Sequence, residues 1–197
     1  MIIVLATRNR KKVEEMKRMF PGHKITFKTL DAFPGCPEVE EDKLTFRANA
    51  RKKALAVARY TGCPALADDS GLEVKALDMA PGVFSARYAG KQADDKKNVR
   101  KILREMRAVI NRQERKARFV CCMVFALPNG KCRTFTGFVS GHIAEKQKGY
   151  NGFGYDPIFY PAGHDRTFAE MTDPEKDALS HRGIAMKKLH AYLKSIV

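Results

Sequence analysis

The pattern of hydrophobic positions changes repeatedly between a strand type and a helix type along the chain. The run from Ile2 to Ala6 is continuously apolar and rich in β-branched residues, as expected of a strand covered on both faces. Ile25 to Leu30 has the composition of a second strand. Between them, apolar residues recur at helical spacing and predict a first helix, which contains Val13, Met16, Met19 and Phe20.

The central part of the chain predicts two more helices with a short strand between them. One helix keeps Phe46, Ala50, Ala54, Val57 and Ala58 on one face and ends at Gly62. The strand 64–67 follows, and we expect it to end at the polar segment Asp68-Asp69-Ser70-Gly71. The next helix contains Val99, Ile102, Leu103 and Met106, and Asp94 is its expected cap.

The last third of the chain predicts a hairpin and a final helix. Phe119–Leu127 and Cys132–Ile143 have strand character and are joined by Pro128-Asn129-Gly130-Lys131, which is typical of a tight turn. The final helix is expected to begin at Ser180 and to bury one face, formed by Ala185, Leu189, Tyr192, Leu193 and Ile196. The order of these elements predicts an α/β fold with a mixed sheet. We expect one domain over residues 1–197, with 72–120 as a candidate second lobe beside a cleft.

Composition adds limits to this picture. The chain has 197 residues, of which 44% are hydrophobic, so it can bury a sizeable core and disorder is excluded. It contains no run approaching the roughly 20 apolar residues that span a bilayer, and its start does not resemble a secretory signal. Its five cysteines lack the spacing of metal ligands, which favours reduced thiols in a core. We therefore expect a cytoplasmic protein.

The net charge of +15 is the one extreme value. Between Arg87 and Arg118, 12 Lys or Arg residues stand against 4 Asp or Glu residues. Such a segment can bind nucleic acid, attract polyanionic metabolites or form a solvated helix face. Charge alone does not distinguish these interpretations.

A polar turn follows the first strand, with the sequence Thr7-Arg8-Asn9-Arg10-Lys11-Lys12. Backbone N–H groups at the start of a helix, together with hydroxyl, amide and lysine side chains, can bind a phosphate. The turn lacks the glycines of a Walker loop. The alternative is a basic turn in which Thr7 caps the helix.

Two acidic segments are candidates for a cation site. Asp68 and Asp69 follow a predicted strand, and Glu40-Glu41-Asp42 precedes the second helix. One carboxylate from each segment would suit Mg²⁺ or an attacking water. The alternatives are a capping turn for the first segment and a solvated loop for the second.

Two C-terminal segments are candidates for binding a ligand. Gly149 to Asp156 mixes glycines, which allow close approach to a ligand, with aromatic residues that can stack on a base. Packing of those aromatics into the core is the alternative. His181 and Arg182 open the last helix, where the helix dipole disfavours cations, so a ligand is a plausible reason for their presence.

Together these segments resemble the family of non-canonical purine NTP pyrophosphatases, also called XTP/dITP diphosphatases or inosine triphosphate pyrophosphatases. The resemblance covers nearly the whole chain in unbroken order, and Arg8 and Lys43 replace two glycines usual in the family. The motifs that carry it are Thr7-x-Asn9-x-x-Lys12, Glu41 before Thr45-Phe46-x-x-Asn49-Ala50, Ala67 to Leu72, Pro81 to Tyr88, Gly152 to Pro157, and Glu175-Lys176 with Ser180 to Gly183.

The resemblance implies an elongated mixed-sheet α/β fold whose two lobes flank a central nucleotide-binding cleft. It implies Mg²⁺-dependent hydrolysis of ITP, dITP and XTP to the monophosphate and pyrophosphate, in a homodimer. Asp69 would activate water or hold the metal, Glu41 would be a second metal ligand, and Asp68 is a further candidate. The implied substrate-binding residues are Thr7, Arg8, Asn9, Arg10, Lys11, Lys12, Ser70, Phe153, Gly154, Tyr155, Asp156, Lys176, His181 and Arg182, with Phe153 stacking on the base.

Two other functions remain open at this point. A basic nucleic-acid-binding module would explain the charge of 87–118, but the acids Glu41 and Asp69 would repel such a ligand, so nucleic acid is not expected as a partner. A related pyrophosphatase for pyrimidine or modified nucleotides would share most of the same residues.

Overall fold

Strands and helices alternate over the first half of the chain in the computed structural model, which describes residues 1–20, 25–91 and 94–196. The strands are β1 (Ile2–Leu5), β2 (Thr26–Lys28), β3 (Ala65–Val74), β4 (Lys116–Ala126), β5 (Cys132–Ile143) and β6 (Phe159–Pro161). The helices are α1 (Arg10–Arg18), α2 (Phe46–Thr61), α3 (Asp95–Glu105), α4 (Asp173–Leu179) and α5 (His181–Lys194). None of the described helices is long and apolar enough to cross a membrane.

The strands form one mixed sheet in the order β2-β1-β3-β4-β5-β6. β1 pairs in parallel with both β2 and β3, whereas β5 and β6 are antiparallel. β4 and β5 are neighbours in this order, and the turn between them is the one that the sequence predicts. The predicted mixed-sheet α/β fold is therefore confirmed, while the cleft between two lobes stays a prediction.

Local sequence rules explain where the helices begin and end. The Thr45 side chain accepts a hydrogen bond from the backbone N–H of Ala48 at the start of α2, and Gly62 ends that helix with a φ of 65°. Asp94 caps α3 through the N–H of Lys97, as predicted. At α1 the cap is Asn9, which accepts from the N–H of Lys12, and the alternative of a Thr7 cap is wrong.

The chain divides into two compact units. The first unit, made of 1–69, 121–137 and 183–197, has two hydrophobic clusters among its described residues, one that contains Leu5 of β1 and Leu189 of α5 and one that contains Ala54 of α2. The second unit, 70–120 and 138–182, has its own core, which includes Leu72, Ile102 and Phe159. It contains the whole range 72–120 that the sequence suggested as a lobe and adds 138–182.

Several predicted boundaries are wrong, among them the start of β4, which is Lys116 rather than Phe119. β3 does not end before Asp68 but continues through Asp68-Asp69-Ser70-Gly71 to Val74. Polar residues remain inside this strand because Lys12 and Asn49 bind the two carboxylates, which the linear pattern cannot show. The last helix begins at His181 rather than Ser180, and Ile196, which we expected on its buried face, is half exposed.

Candidate active site

Two consecutive carboxylates lie in the first unit at the centre of β3. The side chain of Asp68 is fully buried and forms an ion pair with Lys12, with 3.2 Å between Oδ2 and Nζ. Asp69 is 4% exposed, and its Oδ2 accepts a hydrogen bond from Nδ2 of Asn49 at 3.0 Å. Successive side chains of a strand point to opposite faces, so the two acids serve different surroundings.

Lys53 connects the acidic groups of this unit. Its Nζ donates to the backbone carbonyl of Asp68 at 2.7 Å and also contacts the carboxylate of Glu41. Burial alone would lower the pKa of Lys53, but the charges of Glu41, Asp68 and Asp69 outweigh burial and raise it. Lys53 therefore stays a cation inside the carboxylate cluster.

The negative charge of Asp69 is incompletely compensated by its surroundings. Burial, followed by the negative charge of Glu41, raises its pKa from 3.8 to about 6. Lys53, Lys12 and the hydrogen bond from Asn49 act in the opposite direction but do not cancel these effects. A carboxylate that titrates near neutral pH can accept a proton from water, as a general base must.

The turn 7–12 contributes one side chain to the cluster and uses others for its own structure. Lys12 is the residue that reaches the acids. The Thr7 hydroxyl accepts a hydrogen bond from the N–H of Asn9, whose own side chain caps α1. Arg8 donates from Nη2 to the carbonyl of Cys36 at 3.0 Å. Arg10 and Lys11, at the first turn of α1, are exposed.

The sequence analysis did not identify Asn49 and Lys53 as site residues. They lie four residues apart on α2 and interrupt its buried apolar face, where they are 0% and 9% exposed. Residues at this spacing share one side of a helix. A polar pair on an otherwise alanine-rich buried face was the available signal in the sequence.

The second unit holds an aromatic ring close to two cations. Nζ of Lys176 lies 4.9 Å from the centroid of the Phe153 ring, and Cζ of Arg182 lies 5.6 Å from it. Lys176 forms a buried ion pair with Asp156 at 2.6 Å, and Arg182 donates from Nη2 to the Ser70 hydroxyl at 2.8 Å. The structure thus brings together five of the predicted substrate-binding residues in this unit.

Glycines shape the loop that carries Phe153. Gly152 and Gly154 have φ values of 72° and 61°, a region that favours glycine. A Cβ on Gly152 would lie 2.2 Å from Oδ2 of Asp156. That same oxygen accepts a hydrogen bond from the N–H of Phe153 at 2.7 Å. Asp156 therefore stabilises the conformation of the loop to which it belongs.

Two other predicted residues are engaged with the core of the second unit. The ring of His181 stacks on Phe119, with centroids 4.7 Å apart and planes 6° apart. Tyr155 is 4% exposed and its hydroxyl donates to the carbonyl of Ser85 at 2.8 Å. Burial raises the pKa of this phenol. Both residues support the loop and the start of α5.

The carboxylate cluster has the chemistry that Mg²⁺ requires. The described residues contain no group of three or more His, Cys, Asp or Glu side chains able to hold a metal alone. Mg²⁺, however, usually takes one or two carboxylates from a protein and completes its shell with substrate phosphates and water. Glu41 and Asp69 supply that number, and a cation beside them would offset both the burial and the repulsion by Glu41 that raise the pKa of Asp69. The residues therefore fit the ion.

These features define the class of protein as a mixed α/β protein with a carboxylate–lysine cluster in one unit and an aromatic–cation cluster in the other. Comparison with known proteins then specifies the family. The chain belongs to the Ham1 family, whose model matches residues 3–192.

Relatives of known sequence and structure match the chain over nearly its full length. A dITP/XTP pyrophosphatase of Geobacter sulfurreducens is 47% identical over 191 residues, which are 97% of this chain and 96% of that protein. The dITP/XTP pyrophosphatase of Bacillus subtilis is 43% identical and covers 98% of this chain and 96% of its own length. The structure of a HAM1 protein from Coxiella burnetii matches with a TM-score of 0.90 at 43% identity, over 99% of each chain.

Proposed function

We propose that this protein hydrolyses purine nucleoside triphosphates with deaminated bases, namely ITP, dITP and XTP, to the monophosphate and pyrophosphate. The observation that carries the proposal is the buried Asp69, whose raised pKa suits a general base and which shares a cluster with Glu41, Lys53 and Lys12. Membership of the Ham1 family and relatives named dITP/XTP pyrophosphatases support it.

The reaction that we propose is attack of water on the α-phosphorus. The water loses a proton to Asp69, a bond forms between its oxygen and the α-phosphorus, and the bond from that phosphorus to the bridging oxygen breaks. Pyrophosphate leaves with the electron pair of that bond. Lys12 and the N–H groups at the start of α1 bind phosphate oxygens and offset the growing negative charge.

We propose Mg²⁺ as the cofactor, with Glu41 and Asp69 as its protein ligands. When bound, the ion neutralises phosphate charge and stabilises the leaving pyrophosphate. Lys53 keeps Glu41 and the backbone of β3 in place. Asn49 holds one oxygen of Asp69 and leaves the other oxygen for the ion or the water.

The second unit supplies base recognition in this proposal. Phe153 stacks on the purine, which gives affinity but little discrimination, because every base has a similar face. Hypoxanthine and xanthine carry a carbonyl at C6 where adenine carries an amino group. Arg182 donates to that carbonyl, and against adenine the N–H group that makes this bond would lose its acceptor, which disfavours ATP. Guanine shares the carbonyl, so Arg182 does not exclude GTP, and we propose that a separate feature near C2 of the base rejects its amino group.

We also propose that the protein is a cytoplasmic homodimer that removes deaminated purines from the nucleotide pool. The resemblance of its motifs to the pyrophosphatase family supports this role. A nucleic-acid-binding role would account for the basic segment 87–118 but gives no function to the buried cluster around Asp69.

A panel of nucleotides tests the proposal. ITP, dITP, XTP, ATP, GTP, dUTP and CTP are incubated with Mg²⁺, and pyrophosphate and orthophosphate are measured separately. We expect pyrophosphate from the first three and little product from the others. Orthophosphate as the first product, or turnover mainly of pyrimidine nucleotides, would contradict the proposal.

A further inference from the structure

The loop that carries Phe153 has a second acceptor outside the residues that sequence motifs identify. The backbone N–H of Gly154 donates to Oδ2 of Asp95 at 2.9 Å. Asp95 is the first residue of α3, in the basic segment for which the proposed reaction has no use. The adjacent N–H, that of Phe153, is bound by Asp156 at 2.7 Å. Carboxylates therefore accept from both N–H groups on either side of the Phe153 side chain.

This contact matters because glycines flank Phe153 on both sides. Gly152 and Gly154 place few steric limits on the backbone, and both have a positive φ. The direction of the ring therefore depends on what binds the neighbouring N–H groups. A hydrogen bond to a charged carboxylate is among the stronger ones available to a backbone amide.

We propose that Asp95 is a positioning residue for base binding, which acts by holding Gly154 so that Phe153 presents its ring to the purine. The inference rests on the proposed function for its substrate. It also gives the basic segment 87–118 a structural role, because α3 binds the loop that carries Phe153 through Asp95, one of the few acidic residues of that segment. Loss of the Asp95 contact is expected to change substrate affinity rather than kcat. Stacking on the base stabilises the bound ground state and the transition state equally.

The neighbouring Asp94 provides a matched control. Its side chain accepts from the N–H of Lys97 at 3.0 Å and lies 3.7 Å from the Lys97 ammonium, so it caps α3. Asp94 and Asp95 thus carry the same charge at adjacent positions and bind different groups. Asn is an equally good cap, so Asp94→Asn removes charge and keeps the helix start.

The experiment compares Asp95→Ala, Asp95→Asn and Asp94→Asn for ITP hydrolysis. Asp95→Ala is expected to raise KM about fivefold to tenfold with kcat within about twofold of wild type, as loss of one charge-assisted hydrogen bond would. Asp95→Asn restores most of the affinity because its amide oxygen can accept from Gly154. Asp94→Asn is expected to behave as wild type. Thermal unfolding of all three confirms that they remain folded.

Amide hydrogen exchange of Gly154 in the nucleotide-free protein gives a readout that needs no activity. Exchange is expected to be faster in Asp95→Ala than in wild type and Asp94→Asn. The proposal is overturned if Asp95→Ala changes neither the exchange of the Gly154 amide nor KM. It is also overturned if all three variants have equal KM defects, because that result would indicate an effect of charge alone. If exchange responds but wild type releases no pyrophosphate from ITP, the contact exists, and the proposed function and the role in base binding are both overturned.

Discussion

Asp68 and Asp69 are consecutive residues of β3, yet their carboxylates have partners of opposite kinds. Asp68 pairs with the ammonium of Lys12 at 3.2 Å, whereas Asp69 accepts from the neutral amide of Asn49 at 3.0 Å and is repelled by Glu41. The two carboxylates should therefore contribute to stability with opposite signs, although both are buried.

We predict that Asp69→Asn stabilises the protein while reducing its activity. The substitution keeps the shape and removes a charge that burial and Glu41 disfavour, and a pKa raised from 3.8 to about 6 corresponds to at most about 3 kcal/mol. Thermal unfolding at pH 8 should show a Tm higher by roughly 5 °C. The hydrolysis rate should fall about 100-fold or more, as expected for loss of a general base.

The pH dependence of this gain has a defined sign. The pKa of Asp69 is higher in the folded protein than in the unfolded chain, so its charge opposes folding fully above pH 6 and not at all below about pH 4. The Tm difference between Asp69→Asn and wild type should therefore vanish near pH 4. A stabilisation by Asp69→Asn that is independent of pH would contradict the raised pKa of Asp69.

Asp68→Asn is predicted to have the opposite effect on stability. It removes the partner of Lys12 from a fully buried position. Breaking a buried ion pair from one side leaves the other charge uncompensated and costs roughly 2 kcal/mol or more. Denaturant unfolding at pH 8 measures this loss, and a stability equal to that of Asp69→Asn would show that the two acids are equivalent.

Direct titration tests the metal site. In metal-free protein the Asp69 carboxyl, followed by its ¹³C chemical shift, should titrate near pH 6. Glu41→Gln should lower that pKa, because the charge of Glu41 raises it. Added Mg²⁺ should also lower the pKa in wild type, and less so in Glu41→Gln. A pKa that does not respond to Mg²⁺ would remove Asp69 from the ligand set.

Base selection is predicted to depend on Arg182. Arg182→Ala should reduce ITP hydrolysis far more than ATP hydrolysis, so the ITP/ATP ratio of kcat/KM falls by about tenfold or more, while the ITP/GTP ratio changes less. Ser70→Ala is the control, because it removes the 2.8 Å hydrogen bond to Arg182 and leaves the guanidinium. An unchanged ITP/ATP ratio in Arg182→Ala would assign base reading to another residue.

The exposed charges of α3 are predicted to affect the rate of substrate capture. Reversing Lys96, Arg100 and Arg104, which are exposed, should lower kcat/KM at low salt and leave kcat unchanged, because exposed charges steer an anionic substrate. The defect should shrink as salt shortens the Debye length to about 8 Å. Equal reversal of Lys28, Arg59 and Lys131 controls for net charge.

Lys101 is not suited to that experiment, although it lies in the same helix. Its Nζ donates to the carbonyl of Tyr88 at 2.8 Å and lies 3.9 Å from the centroid of the Tyr88 ring. Its substitution would change the packing of α3 as well as the charge.

Tight binding of duplex DNA by the wild-type protein at physiological salt would favour the nucleic-acid interpretation of the basic segment 87–118.

Local rules in the sequence predicted what short-range contacts determine. The cap at Asp94, the end of α2 at Gly62 and the hairpin turn after β4 all depend on residues a few positions apart, and all were confirmed. The grouping of Lys176, Asp156, Phe153 and Arg182 depended instead on the family motifs, since these residues are distant in the chain.

Contacts between residues distant in the chain explain why the end of β3 was predicted wrongly and why two site residues were not identified. The continuation of β3 through Asp68 and Asp69 depends on Lys12, Asn49 and Lys53, which neutralise or bind the two acids from other elements. No periodicity in the segment itself could reveal these partners. The same long-range contacts account for the oversight of Asn49 and Lys53, whose function follows from the strand that α2 covers.

The position of the bond that breaks is the most direct test of the proposed reaction. ITP is hydrolysed by the enzyme with Mg²⁺ in water enriched in ¹⁸O, and the products are separated and analysed by mass spectrometry. Attack at the α-phosphorus predicts one ¹⁸O atom in the inosine monophosphate and none in the pyrophosphate. Label in the pyrophosphate, or release of labelled orthophosphate from the triphosphate, would contradict it.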